Sequence, residues 1–202
     1  MKRPVATGKE LKMDERAREV LRFWLEEAGP AAWYKSDPAF DTLIRERFGA
    51  LWEEARVGDL DAWRTKPEPC LALLIVLDQF PRNMFRDSAK AFASDPKALD
   101  VAVAALLRRL DRKVEMPGRQ FFYLPLMHSE TAPDQDRAVR LFVINEPGGG
   151  NLDHARAHRH VIRSFGRFPY RNEALGRRST PGEIAFIEAG GYGEALREVT
   201  GG

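Results

Sequence analysis

Residues 70–77 read CLALLIVL, eight apolar residues with no polar face, ending at Asp78. As a helix, such a stretch must be covered on every side. It is far too short for the ~20 residues of a membrane span, so the cover has to come from other parts of the chain. Residues 121–127 (FFYLPLM) make the same demand. A fold with two fully covered helices needs a shell of amphipathic helices, and the rest of the sequence supplies one. After Asp37-Pro38, an N-cap and a proline at the first helical position, Phe40, Leu43, Ile44, Phe48, Leu51, Trp52 and Ala55 recur at helical steps. The start recurs at Ser94-Asp95-Pro96, followed by the stripe Leu99, Ala102, Val103, Leu106, Leu107 and Leu110. Thr180-Pro181-Gly182-Glu183 has the form of a capping box. Further helices fit 14–28, 67–80, 117–130, 133–145 and 151–165. Strand alternation is nearly absent.

The expected fold class is therefore all-α. Short polar connections make stacked antiparallel helical hairpins the natural arrangement. The expected organisation is a disordered basic tail over 1–13, one all-helical domain over 14–190 and a flexible C-terminal tail over 191–202. The 202 residues carry 32 Lys and Arg against 30 Asp and Glu, with 44% hydrophobic residues, which excludes a disordered chain. The single cysteine excludes an internal disulfide scaffold, and Cys70 reads as a buried thiol. Lys2 and Arg3 have no apolar run behind them, so no secretory signal is read and a cytoplasmic location is expected.

Each fully apolar stretch ends in polar residues. The first gives Asp78, Gln79, Arg82, Asn83 and Arg86; the second gives His128, Ser129 and Glu130. Polar groups at the end of a covered helix must find partners or a ligand. Asp78 and Arg82 stand four apart and can pair. Pro81 and Pro125 each deprive a carbonyl four residues earlier (Leu77, Phe121) of its helical donor. A third cluster, FGRFPYRN (165–172), brings Arg167, Arg171 and Asn172, with Gly166 ending the preceding helix. On the 151–165 wheel His158 falls on the inner face, His154 at its edge and His160 opposite. His158 is then either a core histidine bonded to a neighbour or a pocket residue. A metal shared by His154 and His158 lacks any companion motif.

Three functional readings follow. In the first, the three clusters converge on one pocket for a small anionic molecule. Arg82, Arg167 and Arg171 bind the anion, with Arg86 and His158 beside them. Asp78, Gln79, Asn83, Asn172, His128 and Glu130 orient it. In the second, the protein is a hydrolase or lyase using His128 with Glu130 or Asp78 as acid and base. In the third, it is an interaction module for protein or RNA. Residues 151–178 hold seven arginines against two carboxylates, interleaved with Phe165, Phe168 and Tyr170. That stretch equally suits internal ion pairing, and the near-neutral total charge argues against nucleic acid. No metal, no cofactor and no membrane partner is expected, because no phosphate loop, nucleophile elbow or ligand pair is present.

The stretches LDQFPRNMFR (77–86), FFYLPLMHSE (121–130) and HRHVIRSFGRFPYRN (158–172) resemble the signatures of the domain-of-unknown-function 924 family. VLRFWLEEAGPAAWYKSDPAFDTLIRERFG (20–49) resembles its opening. The likeness runs from about Val20 to about Glu188. It implies a tetratricopeptide-like right-handed superhelix and no particular activity. Tyr170 stands where that family often carries histidine.

Overall fold

The structure, a computed structural model, describes residues 13–146 and 148–201. All regular elements among them are helical. α1 (15–28) begins as an α-helix, Glu15–Leu21, and continues in wider π winding, Arg22–Ala28. α2 is Pro30–Trp33 and α3 is Pro38–Val57. α4 (67–84) joins Pro67–Leu74, a π turn Ile75–Gln79 and Phe80–Met84. α5 is Asp95–Leu107 and α6 is Leu124–Met127. α7 is Ala132–Asn145, α8 is Gly150–Phe165, α9 is Pro181–Glu188 and α10 is Tyr192–Thr200.

α4 is the axis of the fold. α1, α3 and α5 pack around it, and every residue from Cys70 to Gln79 is buried. An aromatic cluster fills the space it shares with α1, α2 and α3. Phe80 lies 4.7 Å from Phe48, and Trp33 lies 4.9 Å from Phe121, between ring centroids. Burial raises the Cys70 thiol pKa to about 12, so the thiol is inert. Asp37 caps α3 by accepting from the N–H groups of Ala39 and Phe40, and the Thr180–Glu183 capping box is complete. Leu43 and Leu107, counted in the apolar stripes, face out and are 41% and 75% exposed.

Four expectations are corrected. The 67–80 helix does not end at Pro81. The π turn precedes the proline, with the Phe80 N–H reaching back to Ile75, so the chain stays helical through Met84. The Leu77 carbonyl, left without a helical donor, accepts the Ser94 hydroxyl at 2.5 Å. Asp95, expected before Pro96 as the cap by analogy with Asp37, is instead the first residue of α5, and the Ser94 hydroxyl also accepts the Trp52 indole N–H at 2.9 Å. Ser94→Ala should cost about 2 kcal/mol in urea unfolding, since a buried carbonyl and a buried indole N–H both lose their partner. The 117–130 stretch is not one helix. It is a 3₁₀ segment, Gly118–Phe122, and one α turn that Pro125 opens instead of continuing.

The flexible tail expected over 191–202 is instead α10, which packs on α8. Ala195 is fully buried there, with Tyr192, Leu196 and Val199 beside it. Together with Val161, Ile162, Phe165, Phe168 and Phe186 they form a second, smaller core. Most of the tail expected over 1–13 lies outside the described residues, but Met13 packs against the main core. Gly166, at φ +72°, closes α8 in the left-handed conformation that glycine adopts without strain. It turns the chain so that Phe168 and Arg171 point back toward α6.

Candidate functional site

The centre of the site is Asp78, on the π turn of α4. Its carboxylate is 1% exposed and receives His128 Nδ1 at 2.8 and 3.0 Å to its two oxygens. Gln79 Nε2 donates to the same carboxylate, and Arg82 Nη2 lies 3.3 Å from it. Burial alone would raise the Asp78 pKa. The Arg82 charge, the His128 charge at pH values where that ring is protonated, and the donated hydrogen bonds outweigh it and hold Asp78 below the usual carboxylate range. An ionised carboxylate only accepts, so His128 carries its proton on Nδ1. Nε2 is left as the unprotonated nitrogen. Burial, and then the nearby Arg82 charge, lower the His128 pKa against the pull of Asp78. The ring is therefore neutral at pH 7.

Arg82 also forks onto Asp95 at 3.0 and 3.1 Å and donates to the Ala91 carbonyl. Arg171 lies between the rings of Phe92 and Phe168, 4.7 and 4.5 Å from their centroids. It donates to the His128 carbonyl at 3.2 Å and to Asp95 at 3.4 Å. On the inner face of α8, His158 Nδ1 lies 2.8 Å from the His154 carbonyl, and the His158 and His128 rings are 6.1 Å apart. Burial, reinforced by His128, lowers the His158 pKa to about 3.

The His158 shift has a consequence for stability. In the unfolded chain an imidazole takes its proton at about pH 6.5. In the fold His158 does so only when the pH falls to about 3. Between these values the unfolded form holds the extra proton, so acid favours unfolding. The stabilisation is complete above about pH 6.5 and shrinks as pH falls, by about 2 kcal/mol between pH 7 and pH 5. Urea titrations of the protein and of His158→Phe at both pH values check this; the variant should lose most of that difference.

The sequence clusters separate in part. Asp78, Gln79, Arg82, His128, His158 and Arg171 come together. Asn83 and Arg86 do not join them: both bind the buried Asp41 of α3. Glu130 is not a partner of His128. Arg177 forks onto it at 2.6 and 2.9 Å, and the Phe168 N–H donates to it at 2.8 Å. Arg167 forks onto Glu183 at 2.6 and 2.8 Å, and Asn172 lies in the same network, donating to Ser179 and accepting from Arg177. Six of the seven arginines in 151–178 have a carboxylate within 4 Å, including Arg156 on Asp153 and both Arg159 and Arg163 on Asp136. The cationic stretch is thus largely paired internally. His160, on the outer face of α8, sits 2.9 Å from Glu198.

Two hollows open on either side of His128. The outer one, about 330 Å³, is lined by Phe92, Asp95, His128, Ser129, Glu130 and Arg171, among others. The inner one, about 360 Å³, lies between α2, α6, α8 and α10. His128, His154 and His158 line it together with Tyr34, Asn151 and Tyr192. The last three, with Asp95, were missed by sequence reasoning. Asp95 read as part of a helix start, and Tyr192 fell in the expected tail. Among the described residues no group of three or more His, Cys, Asp or Glu is placed to hold a metal ion, and no helix is long and apolar enough to cross a membrane.

Fold and site together define an all-helical protein built around a buried carboxylate–imidazole pair that borders two hollows. Residues 20–191 match the family described as "Bacterial protein of unknown function (DUF924)", and the chain belongs to that family. It is similar to a protein of unknown function from Agrobacterium tumefaciens whose structure is solved. The two are 42% identical, with 86% of this chain and 97% of that chain covered, at a TM-score of 0.82. No curated protein matches the chain.

Proposed function

We propose that the protein is a hydrolase or lyase in which His128, oriented by Asp78, is the general base for a small substrate. The observation that carries this reading is the 2.8 Å contact of His128 Nδ1 with an ionised, buried carboxylate, in a ring that borders both hollows. Nε2 takes a proton from the attacking water or from the substrate. The imidazolium so formed is stabilised by Asp78 and returns the proton to the leaving group. Burial, and after it the Arg82 charge, disfavours protonation of the resting ring and so leaves Nε2 ready to accept. Arg171 and Arg82 hold the pair's surroundings through Asp95. We read the helices as tetratricopeptide-like hairpins, a reading supported by α7 on α8 and α8 on α10.

The test is turnover of a panel of small esters, amides and hydroxy acids as a function of pH. The rate should rise as His128 loses its proton and level off by pH 7. A panel with no turnover, or a rate that falls as the pH rises toward 7, would sink the proposal.

A second reading, a site for a small anionic molecule, rests on Arg171. Its guanidinium is buried, borders the outer hollow, and has a single carboxylate contact at 3.4 Å. Thermal shifts with phosphate and small carboxylates, absent in Arg171→Met, are its signature.

A further inference from the structure

The inner hollow has a hydrogen-bonding polarity that follows from its neighbours. His158 Nδ1 faces a backbone carbonyl, which can only accept, so that nitrogen carries the proton. His128 Nδ1 faces the Asp78 carboxylate with the same result. Both rings therefore keep a lone pair on Nε2, and neither Nε2 has a hydrogen-bond partner among the described residues.

Most donors nearby are already engaged. The Tyr34 hydroxyl and the Asn151 amide both donate to Gln120 Oε1 at 2.8 Å, and Asn151 also lies 3.1 Å from Glu146. Tyr192 and His154 Nδ1 bond each other, which engages one of the pair's two protons and leaves one donor over, on His154 Nε2 or on the Tyr192 hydroxyl. No Asp, Glu, Lys or Arg side chain lines this hollow among the described residues. An anion would meet two lone pairs with no cationic side chain on the wall to pair with it, and Arg82 and Arg171 are already bound to Asp95. A cation would find no carboxylate on the wall. The remaining wall is apolar: Leu124, Met127 and the faces of Tyr34 and Tyr192.

We propose that the inner hollow takes an uncharged small molecule, a flat apolar body carrying N–H or O–H donors that meet Nε2 of His128 and Nε2 of His158. This deepens the reading of His128 as a general base and rests on it, because it names the class of substrate: a neutral amide or alcohol. His158 is then a positioning and specificity residue, a fixed acceptor that selects donors.

Benzamide, benzoate and benzamidine form a matched set of one shape: a neutral molecule with donors, an anion without donors, and a cation. Each is titrated into the full chain while the imidazole nitrogens are followed by ¹⁵N NMR. Before any addition, Nε2 of both His128 and His158 should be unprotonated at pH 7. Benzamide should move both Nε2 signals and bind at least tenfold more tightly than either charged analogue. His158→Phe should weaken benzamide about fivefold, the value of one ordinary hydrogen bond, while leaving the His128 nitrogens unchanged in the free protein.

A protonated Nε2 on either ring overturns the proposal, and that measurement needs no variant. So does tighter binding of benzoate or benzamidine at these rings, or the absence of any response to all three. Turnover decides the parent reading separately. A charged substrate processed through His128 refutes the neutral class and leaves catalysis standing. Benzamide bound at both rings, with turnover indifferent to His128, keeps the hollow and removes the reaction.

Discussion

Asp78→Ala should cost about 3–5 kcal/mol of folding stability, read by urea unfolding at pH 7. The carboxylate is 1% exposed and is the acceptor for His128 and Gln79 and a counter-charge for Arg82. Alanine leaves those groups buried and removes the charge that offsets the nearby guanidinium. Asp95 still holds Arg82, so the loss falls mainly on His128 and Gln79. Asp78→Asn should cost less, because it keeps the shape and one acceptor oxygen. A measured cost below about 1 kcal/mol for the alanine variant would mean that the pair is not the keystone that its burial implies.

His128→Gln should lower turnover by about 10²–10⁴-fold, the usual contribution of a general base. Glutamine fills similar space and can donate to Asp78, so the helices around it stay packed. It has no titrating nitrogen, so the rise of rate with pH should vanish along with the rate. Asp78→Asn should produce a comparable loss by a different route. A neutral amide can donate to Nδ1 and move the imidazole proton to Nε2, where it blocks proton acceptance. The ¹⁵N spectrum of that variant reports the exchange directly. A loss under about tenfold in His128→Gln would remove His128 from the chemistry.

The helices were legible where a cap and a stripe coincide. Asp37 before α3, Thr180 and Glu183 before α9, and Gly166 after α8 all act locally, within four residues of the backbone they serve. α10 was misread although its signal was present. Tyr192, Ala195, Leu196 and Val199 hold a helical spacing and pack into the second core. Pro81 and Pro125 look alike in sequence and act differently. The first follows a turn wide enough to carry the helix past it, and the second opens a new turn.

Among the site residues, Asp78 and His128 could be found because each ends an apolar run with nowhere else to send its polar groups. Of the arginines, only the contact of Arg82 with Asp78, four residues away on the same helix, was readable. The other partners are distant in sequence: Asp41 for Arg86, Asp95 for Arg82, Glu183 for Arg167. Helical spacing reveals pairs on one element, and these cross between elements.

The wide turn over 75–79 carries one residue more than an α turn would. Each residue of an α-helix rotates the chain by about 100°. The i→i+5 turn holds one residue more than an α turn for nearly the same rotation, so deleting one residue there would restore ordinary winding with Phe80 still near its phase against Phe48, while removing the wide turn on which Asp78 sits. The length of this segment therefore matters to the site more than to the packing beyond it: exchanging one apolar side chain for another keeps the extra position, whereas losing one position removes the turn that presents Asp78.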